Sequence, residues 1–161
     1  MPDALTATVV VASNRAAAGV YPDRSGPILV AALRDWGFEV GEPVVVGDGA
    51  PVGRAIAAAI DRGTDVVLTS GGTGVSPTDR TPEVTAPLLN RELPGLAAAI
   101  RARGVAAGVP PAVISRGLAG VAGRTVIVNL PGSPGGVRDG LSVLESVLRH
   151  LVDQVRGRDH Q

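Results

Sequence analysis

The run Thr69-Ser70-Gly71-Gly72-Thr73-Gly74-Val75-Ser76-Pro77-Thr78-Asp79-Arg80-Thr81-Pro82-Glu83 concentrates glycines, hydroxyls and one carboxylate in a short stretch. It follows the apolar residues Val66-Val67-Leu68 and ends in a capping hydroxyl, a first-turn proline and a first-turn acid, which together predict a helix beginning at Thr81. Glycine lets peptide N–H groups approach an anion closely, and the following helix adds a positive dipole end, so the junction predicts a phosphate site. Asp79 would repel a phosphate unless a cation lay between them, which points to a nucleotide-metal or pyrophosphate-handling site.

Two further loops share this character. One carries Asp48 within Gly47-Asp48-Gly49-Ala50-Pro51, and the other is Asn129-Leu130-Pro131-Gly132-Ser133-Pro134-Gly135-Gly136. The second follows a strand-like run and precedes a helical one, so its N–H groups and the Ser133 hydroxyl could form another anion cradle. Plainer readings stay open for each. Glycine-rich turns also serve βα connections that need positive φ; Asp48 could cap the helix after Pro51, Asp79 could cap the turn before Thr81, and Ser115-Arg116 could be a strand end with a solvated arginine.

Composition narrows the chemistry. All fifteen basic residues are arginine and balance fifteen acids, and there is no cysteine. A P-loop lysine, a Schiff base, a thiolate nucleophile and a Cys-ligated metal are thereby excluded. The two histidines, His150 and His160, lie near the C-terminus, far from every glycine-rich loop, which argues against a Ser-His-Asp triad or a His-ligated zinc. Balanced charge gives no field to hold a nucleic-acid backbone, and no apolar stretch is long enough to span a bilayer. The expectation is a soluble, cytoplasmic protein that binds neither nucleic acid nor membrane.

A chain of 161 residues with 45% hydrophobic content predicts one domain over residues 1–161, with residues 157–161 as a frayed tail. Strands are expected at Thr6 to Ala12, Glu39 to Val46, Val66 to Thr69, Ala112 to Gly117 and Thr125 to Leu130, with Gly120 and Gly123 turning between the last two. Helices are expected after Pro27, Pro51 and Pro82, the third continuing through Leu88-Leu89, with another from Leu96 to Val105. A final helix carries the stripe Val137, Leu141, Leu144, Leu148, Leu151 and Val155, which packs on the sheet or, alternatively, forms a subunit contact. The alternation predicts a three-layer α/β/α sandwich with a mostly parallel sheet, its loops gathered at the C-terminal strand ends.

Asp23-Arg24-Ser25-Gly26-Pro27, the Gly71 to Glu83 block, Ser115-Arg116-Gly117 and Asn129 to Pro134 occur in the order and spacing of a known family. The chain resembles the MogA/MoaB proteins of molybdenum cofactor biosynthesis, the molybdopterin adenylyltransferases, also found as the G domains of gephyrin-type fusions. The resemblance implies a trimeric protein that binds molybdopterin and transfers AMP to it from Mg-ATP, releasing pyrophosphate; a MoaB-type binding or carrier protein is the alternative. It also implies possible transfer to or from other cofactor-biosynthesis proteins. By resemblance, Asp48 and Asp79 match the family's functional aspartates and handle Mg²⁺ with the ATP phosphates. Gly71, Gly72, Thr73 and Gly74 hold phosphate, Ser115 and Arg116 contact the pterin phosphate, and Pro131, Gly132 and Ser133 shape the pocket wall. The chain departs from many relatives in having Asn14 and Gly49 where those carry an acid. A CinA-type nucleotide hydrolase is the lesser resemblance, since this chain has Gly72-Thr73-Gly74-Val75 and a single acid at Asp79.

Overall fold

A computed structural model describes residues 4–158. Strand β1 (Leu5–Ala12) runs through the middle of a seven-stranded sheet. Along one edge it pairs with β2 (Phe38–Val40) and then β3 (Val44–Val46), and along the other with β4 (Val66–Ser70), all parallel. β4 continues parallel to β7 (Thr125–Leu130), after which β6 (Ala119–Ala122) and β5 (Arg91–Glu92) add antiparallel. Every residue of β4 and β7 is buried, as parallel strands covered on both faces require.

The pleat divides the core into two layers. Val9, Val11, Leu68, Val126 and Val128 face α2 (Ser25–Asp35), α5 (Pro94–Ala106), α6 (Pro134–Leu144) and α7 (Leu148–Val155). Val10, Val67 and Ile127 face α3 (Ala50–Asp61), with Val84 of α4 (Thr81–Thr85) packed on the same cluster. The expected α/β/α sandwich is present. Residues Val137, Leu141, Leu144 and Leu148 of the final stripe lie in the core.

Several local expectations change. The strand from Glu39 to Val46 is broken at Gly41-Glu42-Pro43, where Pro43 can donate no ladder hydrogen bond. Ala112 to Gly117 is not a strand: a 3₁₀ turn from Pro110 to Ile114 takes the place of its first half, and Val113 and Ile114 project outward. Gly120 lies inside β6, leaving Gly123-Arg124 as a two-residue hairpin turn with glycine at the first central position, φ +60°. Helix α4 does not reach Leu89, because Pro87 interrupts it and the chain tightens into a 3₁₀ turn over Ala86–Leu88. The final helix is two, separated by Glu145, Ser146 and Val147.

Of the expected tail, Gly157 and Arg158 close α7 in a Schellman arrangement, Gly157 donating to Gln154 O and Arg158 to Asp153 O, while residues 159–161 lie outside the described residues. A short helix, α1 (Asn14–Ala17), follows β1, capped by the Ser13 hydroxyl. The chain leaves β1 toward β2 and β3 by way of α2, then returns by way of α3 to β4 on the other side. The crevice between the ends of β1 and β4 is therefore the topological switch point of the sheet, where α/β proteins bind ligands.

Candidate active site

At the end of β4 the backbone turns left-handed twice, with Gly71 at φ +96° and Gly72 at φ +68°. A side chain at Gly71 would strike Ala12 O, and one at Gly72 would meet Thr81 Oγ1 and, at 2.6 Å, Asp48 Oδ2. Glycine is needed here both for conformation and for space. The carbonyls of this loop are held by protein donors. Thr81 donates from Oγ1 to Gly71 O at 2.9 Å and from its N–H to Gly72 O at 3.0 Å. Arg116 donates from its N–H to Thr73 O at 2.8 Å, from Nε to Gly74 O at 2.7 Å and from Nη2 to Asp79 O at 2.9 Å.

The third loop is treated alike, Ser70 Oγ donating to Pro131 O at 2.8 Å and Ser25 Oγ to Gly132 O at 2.7 Å. Among the described residues, the peptide N–H groups of Gly72, Thr73, Gly74, Gly132 and Ser133 donate to no protein acceptor. With carbonyls secured and N–H groups uncommitted, the two loops form a paired nest suited to anionic oxygen.

Gly72→Ala should lower stability by roughly 2 kcal/mol or more, because it adds the contacts with Thr81 and Asp48 to the cost of a left-handed alanine. Gly63→Ala, at φ +75° in open space, should lose only about 1 kcal/mol. Urea unfolding of the two variants checks this, and equal losses would contradict the close-approach argument.

Neither Asp48 nor Asp79 lines the cavities described below. Asp48 does not cap α3, whose N-cap Gly49 makes no side-chain bond; its Oδ1 instead accepts at 2.9 Å from the N–H of Arg80, in the loop that follows β4. Its own N–H donates to Asn14 Oδ1 at 2.9 Å, so Asn14 supplies an acceptor without adding charge. Asp79 Oδ2 accepts from Ser76 N at 3.0 Å, and a side chain at Gly74 would meet the same oxygen at 2.7 Å. Each carboxylate thus bonds the loop through one oxygen, and neither forms an ion pair among the described residues. Thr81 is not the cap expected of it either: its hydroxyl donates backward to Gly71, and Arg80 occupies the N-cap.

Arg116 completes its grip through Nη1 on Glu83 Oε2 at 2.7 Å. That hydrogen bond holds the Glu83 carboxyl below the usual carboxylate range and raises the guanidinium. A depressed carboxyl stabilises the folded loop at pH above its unfolded value and loses that contribution as pH falls through the folded value. In an NMR titration the Glu83 side-chain carboxyl carbon should shift with a midpoint below about 4.3, and Arg116→Gln should return the midpoint to the free value. A midpoint at or above the free value would contradict the clamp.

Two cavities flank the nest. One, about 500 Å³, occupies the β1–β4 crevice and is lined by Ser13, Tyr21, Arg24, Ser25, Gly71 and Gly132 among others. The other, about 460 Å³ and more apolar, is lined by Thr73, Gly74, Ile114, Ser115, Pro131 and Ser133 among others. Both are of a size that takes a small ligand.

The predicted glycines, Thr73, Ser115, Pro131, Gly132 and Ser133 therefore come together at these two cavities, and Arg116 and the aspartates come together around the intervening loop. Ser133 Oγ caps α6 by accepting from Gly136 N at 3.0 Å, and Ser115 Oγ accepts from Gly117 N at 3.4 Å. Sequence reasoning missed Ser25, Tyr21 and Arg24. The run from Asp23 to Pro27 reads as a helix start, and Asp23 Oδ1 does accept from Ser25 N and Gly26 N, but the inward hydroxyl of Ser25 leaves no periodic signal.

Residues 8–150 match the family described as a probable molybdopterin binding domain. The chain belongs to that family. The chain is 37% identical over 155 residues to a molybdenum cofactor biosynthesis bifunctional protein of Synechococcus elongatus, covering 96% of this chain and 48% of that protein, so the chain spans about half the length of that relative. It is 34% identical to a molybdopterin adenylyltransferase of Pyrococcus furiosus, covering 92% of this chain and 89% of that one. Among solved structures, the molybdopterin biosynthesis Mog protein of Mycobacterium ulcerans is 51% identical with a TM-score of 0.92, covering 98% of this chain and all of the other. Among the described residues, no helix is long and apolar enough to cross a membrane.

Proposed function

We propose that the chain is a molybdopterin adenylyltransferase, acting as a cytoplasmic homotrimer. The observation that carries this reading is the pair of cavities on either side of one anion nest, the arrangement that a reaction between two phosphate-bearing substrates needs. The name of the Pyrococcus relative supports the choice of substrates, ATP and molybdopterin. Exposed apolar side chains at Val105, Val109, Val113 and Ile114 support association between copies.

In the reaction, an oxygen of the molybdopterin terminal phosphate attacks the α-phosphorus of ATP. A P–O bond forms to the adenylyl group, and the bond from the α-phosphorus to the bridging oxygen breaks, releasing pyrophosphate. The nucleophile is already anionic, so no strong general base is required, and orientation and charge neutralisation carry the rate. Gly72, Thr73 and Gly74 present N–H donors to phosphate oxygens, with Gly132 and Ser133 facing the same wall, and Ser115 contacts the pterin phosphate. Arg116 acts as a positioning residue, its guanidinium bonded to Gly74, Asp79 and Glu83.

Asp48 and Asp79 suit a hard cation, since two carboxylates without imidazole or thiolate leave room for phosphate oxygens and water. Among the described residues no cluster of three or more His, Cys, Asp or Glu could hold a metal alone. Bound through Asp48 and Asp79, Mg²⁺ would offset the negative charge of the ATP phosphates. Incubation with molybdopterin and Mg-ATP tests the reading through pyrophosphate release; binding of both without release would leave a carrier that exchanges molybdopterin with other cofactor-biosynthesis proteins.

A further inference from the structure

Beneath the nest lies a buried line of hydrogen-bonded polar side chains. Asn129, on β7, is 4% exposed, and Thr69, Thr81 and Thr85 around it are fully buried. The Leu118 N–H donates to Asn129 Oδ1 at 3.0 Å, which makes that atom the acceptor and Nδ2 the donor. Nδ2 then donates to Thr69 Oγ1 at 3.0 Å and to Thr85 Oγ1 at 3.2 Å. Having accepted, Thr85 Oγ1 donates its own proton to Thr81 O at 2.7 Å. Thr81 in turn holds Gly71 O with its hydroxyl and Gly72 O with its N–H. Every proton direction along the line is determined, from the sheet to the two carbonyls whose orientation turns the following N–H groups outward.

Valine at positions 81 and 85 would fill nearly the same volume but would leave the buried carbonyls of Gly71 and Thr81 without their hydroxyl donors, so the line contributes to stability and, separately, fixes the direction in which the Gly71 carbonyl points. We propose that the line Asn129, Thr85, Thr81 sets the orientation of the Gly71 and Gly72 peptide planes, with Thr81 the positioning residue of the phosphate nest. This rests on the nest binding the ATP phosphates.

The test measures Kd for Mg-ATP and for inorganic pyrophosphate, beside thermal melting, in the full chain and in Thr81→Val, Thr81→Ser and Thr85→Ala. Thr81→Val should bind both ligands about tenfold more weakly and Thr85→Ala about threefold, while Thr81→Ser, which keeps the hydroxyl, stays within about twofold of the parent. Melting should remain cooperative in the Ser and Ala variants, so the comparison survives if Thr81→Val folds poorly. A purely structural role would move melting and leave Kd alone; parental affinity in Thr81→Val or Thr85→Ala, or weakening in Thr81→Ser equal to that in Thr81→Val, overturns the proposal. If the parent itself binds neither Mg-ATP nor pyrophosphate, the adenylyltransferase reading falls with it, an outcome separate from the others.

Discussion

Asp48→Asn and Asp79→Asn should each slow pyrophosphate release from molybdopterin and Mg-ATP by roughly 100- to 1,000-fold, the scale expected when one preorganised electrostatic contact to a reacting phosphate is lost. The substitution separates charge from hydrogen bonding. Asparagine keeps an oxygen able to accept from Arg80 N in place of Asp48, or from Ser76 N in place of Asp79, so the loop geometry should survive. What disappears is the negative charge that a metal ion requires. Circular dichroism and melting should stay near the parent while turnover collapses, and raising magnesium should recover little. Near-parental rates in both variants would mean that the carboxylates serve only to shape the loop. In that event alanine at either position, which also removes the hydrogen bond, should be the damaging change.

The largest stability effect is expected far from that chemistry. Asp65, 2% exposed, receives both Nε and Nη2 of Arg156 at 3.0 and 2.8 Å, and its Oδ2 also accepts from Thr6 N at 2.9 Å. The Arg156 side chain is itself only 8% exposed. Asp65→Ala leaves that guanidinium buried without its partner, at a cost of about 3–5 kcal/mol and a fall in Tm of roughly 10 °C or more. The surface pair Arg158–Asp153, with side chains 48% and 27% exposed, should contribute no more than about 1 kcal/mol. Asp65→Ala combined with Arg156→Met should recover much of the loss, because the unpaired charge is removed along with its acceptor. Urea denaturation measures all three, and a loss below about 1 kcal/mol for Asp65→Ala would show that water reaches Arg156. Asp65 immediately precedes β4 and Arg156 follows α7, so the pair lies at the N-terminal end of β4, away from the glycine loop at its C-terminal end, and turnover per folded molecule should not change.

The strands on either side of the switch point were legible because parallel strands buried on both faces need unbroken β-branched runs, as at Val9-Val10-Val11 and Val66-Val67-Leu68. Legibility failed where a short segment had two physically reasonable fates. Ala112 to Gly117 is apolar enough for a strand, yet Pro110-Pro111 starts a 3₁₀ turn that carries Val113 and Ile114 outward. Strand β6 was hidden because Ala119, Gly120 and Ala122 have little β propensity; it forms where the Gly123-Arg124 turn folds it back on β7. The break between α6 and α7 interrupts a stripe whose spacing is regular through it, so periodicity could not reveal it.

At the candidate site, the chemistry of the proposed ligand is written in residue types. Glycines with positive φ, hydroxyls beside a strand end, and acids that only a cation could reconcile with phosphate are properties of single residues and their neighbours in the chain. The family motifs add the phosphates of ATP and molybdopterin as the proposed ligands. Orientation was not written there. That Arg116 turns back on Glu83 and three loop carbonyls, that Thr81 donates to Gly71 instead of capping its own helix, and that Asp48 accepts from Arg80 N all depend on segments up to tens of residues apart being brought into contact. A hydrogen bond has a direction as well as a partner, and that direction is decided only when the packed sheet leaves each donor one acceptor within reach.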